Sequence, residues 1–202
     1  MKKILVIGSN SDTAKATMAR LEKDHIIVKI NRSIVDLADA TASEKIRNLL
    51  AIEQPDVVIH CAGVFDVTDD FDTIFDINVK SHWAVIKYYF DNPPNKLIRF
   101  IQHGSSTYKQ GRRKWPLYAA SRAAQHSMWQ GANEAAPENF KLGIVHPVRV
   151  NTKHVAHLPQ PNPELCLEPD DVAAVIEDMA RNMTESYCVD MDYKKPNNAN
   201  ES

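Results

Sequence analysis

Cysteine is scarce in this chain, and the three present do not pair. Cys61, Cys166 and Cys188 are an odd number with neither disulfide-framework nor metal-ligand spacing, so reduced thiols in a cytoplasmic protein are expected. Long apolar runs are lacking too. The apolar stretch after Lys3 stops at the Gly8 turn, too short for a signal peptide, and no run reaches the ~20 residues that cross a bilayer. Charge of one sign is also missing: the formal net charge is −2, which argues against a nucleic-acid or membrane-surface partner. There is no internal repeat, and the one biased segment is the Asn-rich end. With 202 residues, the chain reads as one domain over residues 1–192, with residues 193–202 as a disordered tail.

What is present is alternation. Short apolar runs at Ile4-Leu-Val-Ile7, 26–30, 56–60, 97–102, 140–145 and 187–191 read as strands. Between them lie helical stretches from about Asp12, over about 43–53, 73–90 and 117–135, and from Pro169, where proline followed by Asp170 and Asp171 suits a first turn. This predicts an α/β fold, a doubly wound parallel sheet of six to seven strands with helices on both faces.

In such a fold ligands bind at the carboxyl ends of the strands, and the polar clusters of this sequence fall there. Gly8-Ser9-Asn10-Ser11-Asp12-Thr13 lies between a strand and a helix, where backbone N–H groups and the helix dipole can hold a pyrophosphate; the plain alternative is a turn capped by Asp12. The second strand ends in Asn31-Arg32-Ser33, with an arginine suited to a 2′-phosphate, which favours NADP over NAD; otherwise Arg32 is a solvated cation. Asn78, an amide inside a long apolar helix, bonds its own backbone or marks a kink or water beside the site.

The stretch from Gly104 to Arg122 carries the chemistry. Tyr118 and Arg122 are four apart on a predicted helix and so share a face. A free phenol titrates near ~10, and a fixed cation beside it favours the phenolate. Ser105, on a loop after a strand, can hydrogen-bond the oxygen of a reacting carbonyl or alcohol. These three are expected to meet over the nicotinamide of a dinucleotide.

Gly8-x-x-Ser-Asp-Thr-Ala, Asp36-Leu37, Cys61-Ala-Gly63, Asn78-Val, Ser105, Tyr118-x-x-x-Arg122 and Pro147-Val-x-Val-x-Thr152 together resemble the short-chain dehydrogenase/reductase family. The resemblance runs to about Asp192. It implies a Rossmann-type fold with NADP, or NAD, across the strand ends. By that resemblance Tyr118 matches the general acid/base, Ser105 the substrate-polarising serine with Ser106 as fallback, and Asn78 the asparagine of the proton relay. Asp36 and Leu37 would lie by the adenine, Cys61, Ala62 and Gly63 by the ribose, and Pro147, Val148, Val150 and Thr152 by the nicotinamide. Four positions depart from the family: Asp12 and Ala14 replace glycines, Cys61 replaces asparagine, and Arg122 replaces lysine.

Lys109, Arg112, Arg113 and Lys114 precede Tyr118, and Arg149, Lys153 and His154 follow the run at 140–145. If they border the pocket, the substrate is anionic, such as a phosphorylated sugar or polyol; solvated surface cations are the alternative. His154 and His157 lack further ligands, so no metal is assigned. Trp115 and Trp129 read as core or subunit interface, and the family resemblance implies a homodimer or homotetramer. An NAD(P)-binding regulator without turnover and a nucleotide-sugar epimerase or dehydratase are the other functions in play.

Overall fold

A computed structural model describes residues 1–65, 70–156, 158 and 162–195. Six strands form one sheet: β1 (Lys3–Ile7), β2 (Ile26–Ile30), β3 (Val57–His60), β4 (Ile98–His103), β5 (Phe140–Pro147) and β6 (Tyr187–Met191). Their order is β2-β1-β3-β4-β5-β6 and every pairing is parallel. The chain moves one way from β1 to β2 and then returns to the other side of β1 for β3. That reversal opens a crevice above the ends of β1 and β3, where such folds bind ligands.

Alternation along each strand explains why both faces are covered. Leu5 and Ile7 point to one face, with Val58, Phe100, Leu142 and Ile144, against α2 (Ala42–Glu53), α4 (Ser81–Asp91) and α5 (Pro116–Ala135). Ile4 and Val6 point to the other, with Ile59, Ile101 and Val145, against α1 (Asp12–Leu21) and α6 (Pro169–Asn182). Side chains two apart share a face, so a continuous apolar run feeds two cores at once. Each such burial stabilises by about 2 kcal/mol.

The long helix expected over 73–90 begins earlier and is not regular. It runs as α3 (Phe71–Phe75), a π turn (Asp76–Lys80) and α4, and the Ser81 N–H reaches back five residues to the Asp76 carbonyl. Asp70 caps its start by accepting from the Thr73 N–H. The domain also extends past residue 192. Lys194 donates its N–H to the Leu165 carbonyl at 2.8 Å and pairs with Asp171 at 2.9 Å, so these contacts hold the start of the expected tail against the fold. The remainder of that tail, 196–202, lies outside the described residues.

Candidate active site

A cleft of about 770 Å³ lies over the carboxyl ends of the strands. Its floor begins at the turn after β1. Gly8 has φ +77°, and a Cβ there would collide with the backbone of Ala62 at the end of β3, so only glycine fits. The N–H groups of Gly8 and Ser9 donate to the Ile30 carbonyl. Ser11, not Asp12, caps α1: its hydroxyl accepts from the Ala14 N–H at 3.2 Å. Asp12 is instead the first helical residue, and its carboxylate accepts from the Lys153 N–H at 2.9 Å. That bond ties the loop after β5 to the first turn. Asn10, Ser11, Asp12 and Thr13 line the cleft, whereas Ser9 is buried beneath it.

At the end of β2, Asn31 and Arg32 line the cleft but Ser33 is absent from its wall. Ser33 turns back and donates both its N–H and its hydroxyl to the Asn31 side chain, a local turn motif. Arg32 donates to Asp36 at 3.0 Å. The Ala38 N–H, and then Arg32, hold the Asp36 carboxyl below the usual carboxylate range. Asp36 and Leu37 stand on the same wall.

Cys61, Ala62 and Gly63 continue the wall. Burial pushes the Cys61 thiol up to about 12, which makes it inert rather than nucleophilic. Asn78 is fully buried and does not reach the cleft. Its amide accepts from the Val64 N–H at 2.9 Å and donates to the Val64 carbonyl and the Ser121 hydroxyl, both at 3.0 Å. It clamps the strand end after β3 onto the π turn and α5. Both polar atoms of that side chain are committed, so a relay through them is not supported.

Ser105, directly after β4, and Tyr118, in the first turn of α5, both face the cleft. The Ser105 hydroxyl oxygen accepts from the Thr107 N–H and from the Thr107 hydroxyl at 2.9 Å. Its own proton is thereby left for a ligand. The Arg122 guanidinium carbon lies 5.3 Å from the centroid of the Tyr118 ring, as the four-residue step requires. Arg122 is only 4% exposed and donates from Nη1 to the Gln125 side chain at 2.9 Å and to the His103 carbonyl at 3.4 Å. A Cβ on Gly63 would strike its Nη2. Pro147, Val148, Val150 and Thr152 form the opposite side.

Sequence reasoning missed an aromatic wall. Phe65 packs edge-on against Tyr118 at 4.9 Å and against Trp115 at 4.8 Å, and all three line the cleft. Trp115, expected in the core or an interface, is therefore a cleft residue, because Pro116 starts α5 and leaves the preceding side chain beside its open first turn. Trp129 is core, as expected.

The predicted basic border separates into used and free charges. Lys109 pairs with Asp190, Arg149 donates to the Val155 and Leu158 carbonyls, and Lys153 lies 3.9 Å from Asp12. Arg112 lines the cleft near Trp115 and Tyr118. The side chain of His154 and all of His157 fall outside what is described.

His126, His146 and Cys188, far apart in sequence, form a group with metal-like spacing, their ligand atoms lying within 4.8 Å of one another. The Ser105 N–H donates to His146 Nδ1, so the neutral ring carries its proton on Nε2, which meets His126 Nδ1 at 2.9 Å. Both nitrogens of His146 are thus engaged, and the ring seats the Ser105 backbone rather than offering a lone pair to an ion.

Known structures share this architecture. A short chain dehydrogenase family protein from Francisella tularensis subsp. tularensis SCHU S4 is 17% identical, with a TM-score of 0.80 and coverage of 95% of this chain and 97% of that one. A short chain dehydrogenase from Burkholderia cenocepacia J2315, solved with NADP, is 20% identical, with a TM-score of 0.77 and coverage of 95% and 96%. The 3-alpha-hydroxysteroid dehydrogenase from Pseudomonas sp. B-0831, solved with NADH, is 17% identical, with a TM-score of 0.76 and coverage of 93% and 95%. No curated protein sequence matches the chain. A family model described as short chain dehydrogenase matches residues 1–163, and with the parallel sheet and its cleft it shows that this chain belongs to the short-chain dehydrogenase/reductase family of NAD(P)-dependent oxidoreductases.

Proposed function

We propose that this protein is an NADP-dependent oxidoreductase acting on a carbonyl or alcohol carbon of a small anionic substrate, such as a phosphorylated sugar or polyol, with Tyr118 as general acid/base. One observation carries the reading: Tyr118, with the Arg122 guanidinium 5.3 Å from its ring, opens onto the same cleft as Ser105 and the Gly8 turn.

The residues fit a dinucleotide. Asn10, in the turn that Gly8 closes against Ala62, and Asp12 and Thr13, in the first turn of α1, offer N–H groups to a pyrophosphate. Arg32 is 83% exposed on its side chain and can leave Asp36 for a 2′-phosphate. The nicotinamide, when bound, supplies or accepts the hydride. Ser105 donates its free proton to the substrate oxygen and holds it in place. Tyr118 gives that oxygen a proton in reduction and removes one in oxidation. Arg122 stabilises the phenolate left behind. The Phe65 and Trp115 rings exclude water from the reacting centre, and Arg112 meets the substrate's anionic group. The three free thiols support a cytoplasmic setting. Trp83 on α4, 42% exposed, supports burial of that helix between subunits of a dimer or tetramer.

Two observations favour narrower alternatives. The Arg32–Asp36 pair puts a carboxylate on the adenosine side of the cleft, which suits the free ribose of NAD. Arg122 bonds inward to Gln125 and His103, which suits a nucleotide-binding protein without turnover. Fluorescence titration with NADPH and NADH, followed by turnover on phosphorylated and unphosphorylated carbonyl compounds, tests all of these. Binding of NADPH with reduction of the phosphorylated set is the expected result; no binding of either nucleotide at millimolar concentration would falsify the proposal.

A further inference from the structure

Arg122 is a permanent cation placed almost wholly out of water, and among the described residues no carboxylate pairs with it. An uncompensated buried charge is costly unless neutral dipoles solvate it. The dipoles here are identifiable. Nη1 donates to Gln125 Oε1 at 2.9 Å and to the His103 carbonyl at 3.4 Å. Gln125 is itself fully buried, and its Nε2 lies 3.3 Å from one ring nitrogen of His82 and 3.4 Å from the His103 carbonyl. His82 stacks on His60 with ring centroids 3.7 Å apart, and His60 Nε2 meets the Ser81 hydroxyl at 2.9 Å. His60, His82, His103 and His146, from β3, α4, β4 and β5, all feel the Arg122 charge, and burial first of all holds each below the ordinary histidine range. One cation is thus ringed by neutral groups.

Gln125 has one consistent orientation in this chain of contacts. Its oxygen must face the guanidinium, and its NH₂ must face His82 and the His103 carbonyl. We infer that Gln125 is the positioning residue that lets a guanidinium stand at position 122: it orients the charge through a neutral acceptor and leaves that charge uncancelled for the cleft. The inference rests on the proposed nucleotide-binding reading and deepens it, since the uncancelled charge acts on the anionic cofactor and on the Tyr118 ring above it. A carboxylate at position 125 would keep the acceptor for Nη1 and cancel the field of Arg122, at the loss of the donor to the His103 carbonyl.

The two roles can be separated by variants of nearly equal shape. Gln125→Glu adds a negative charge beside Nη1, and Gln125→Met removes the acceptor without changing charge. In NADPH fluorescence titrations at low salt, Gln125→Glu is expected to weaken binding about fivefold, while Gln125→Met stays within about twofold of the parent. In thermal melts Gln125→Glu is expected to rise by about 3 °C, because a buried cation gains its partner, and Gln125→Met to fall by a similar amount. A Gln125→Glu protein that binds NADPH like the parent, or melts below Gln125→Met, overturns the inference. Failure of the proposed function looks different: the parent itself then shows no NADPH binding, while a raised melting temperature for Gln125→Glu still supports the neutral seat.

Discussion

Replacing Tyr118 with phenylalanine removes one hydroxyl from the cleft and leaves the Phe65 contact and the Arg122 contact with a ring intact. If that hydroxyl moves the proton, kcat falls by about 10²-fold or more while the NADPH dissociation constant stays within about twofold. Unchanged turnover would remove Tyr118 from the mechanism. Arg32→Ala tests the adenosine end instead. Loss of a charged contact to a 2′-phosphate should weaken NADPH by about tenfold and leave NADH nearly unaffected; equal loss for both would assign Arg32 to the Asp36 contact alone. Tyr118 and Arg122 were legible in the sequence because a four-residue step on a helix has only one geometry. Gln125 was not, since an amide in an alanine-rich helix gives no sign that a buried cation lies one turn back. Phe65 was equally silent, as nothing local tells a loop phenylalanine beside a cleft from one in the core.

The helix between β3 and β4 shows how an element can be predicted in extent and missed in detail. Its apolar pattern gave a single helix, yet the extra residue of the π turn is set by contacts distant in sequence. Asn78 reaches Val64 and Ser121, and the Ser81 hydroxyl donates to the Ile77 carbonyl at 2.6 Å. A π turn inside an α-helix is tolerated where side chains satisfy the displaced backbone, and it is frequent beside functional sites. Asn78→Ala would leave the Val64 N–H and carbonyl without their partner, at a cost of about 1–3 kcal/mol. The expected result is a melting temperature lower by several degrees, with turnover reduced through displacement of Gly63 and Val64. Asn78→Ala with parental stability would mean that the clamp contributes nothing. The turn after β1 was legible for the opposite reason: Gly8 ends an apolar run, and the positive φ it adopts is a local demand. The capping residue was misplaced by one position, because Ser11 and Asp12 are both good caps and only the helix start decides between them.

For the whole molecule, strand content and the parallel sheet were plain from the apolar runs alternating with helices, whereas the β2-β1-β3-β4-β5-β6 order was not, because parallel connections alone admit several orders. What composition hid is the set of histidines that this order brings together under the cleft. Burial holds His60 at about 3, His146 at about 3 and His103 at about 4. An unfolded histidine titrates near ~6.5. Below that pH the unfolded chain binds protons that the folded chain refuses, so the stability these groups contribute is complete above ~6.5 and is lost as pH falls toward their folded values. Each histidine removes up to about 1.4 kcal/mol per pH unit in that window, and three together rival a typical total of about 5–15 kcal/mol. The depressed carboxylates, such as Asp39 at about 2, act only below their own unfolded value near 3.8, so the two effects are separable. Thermal melts from pH 7.5 to 4.5 should show a steep fall starting near pH ~6.5, well before any carboxylate protonates. His146→Gln, which keeps an acceptor for the Ser105 N–H, should reduce the slope by about a quarter, since His82 is held low beside the other three. A flat profile down to pH ~5 would mean that these rings accept protons without unfolding, and that the ring of neutral groups around Arg122 does not exist in solution.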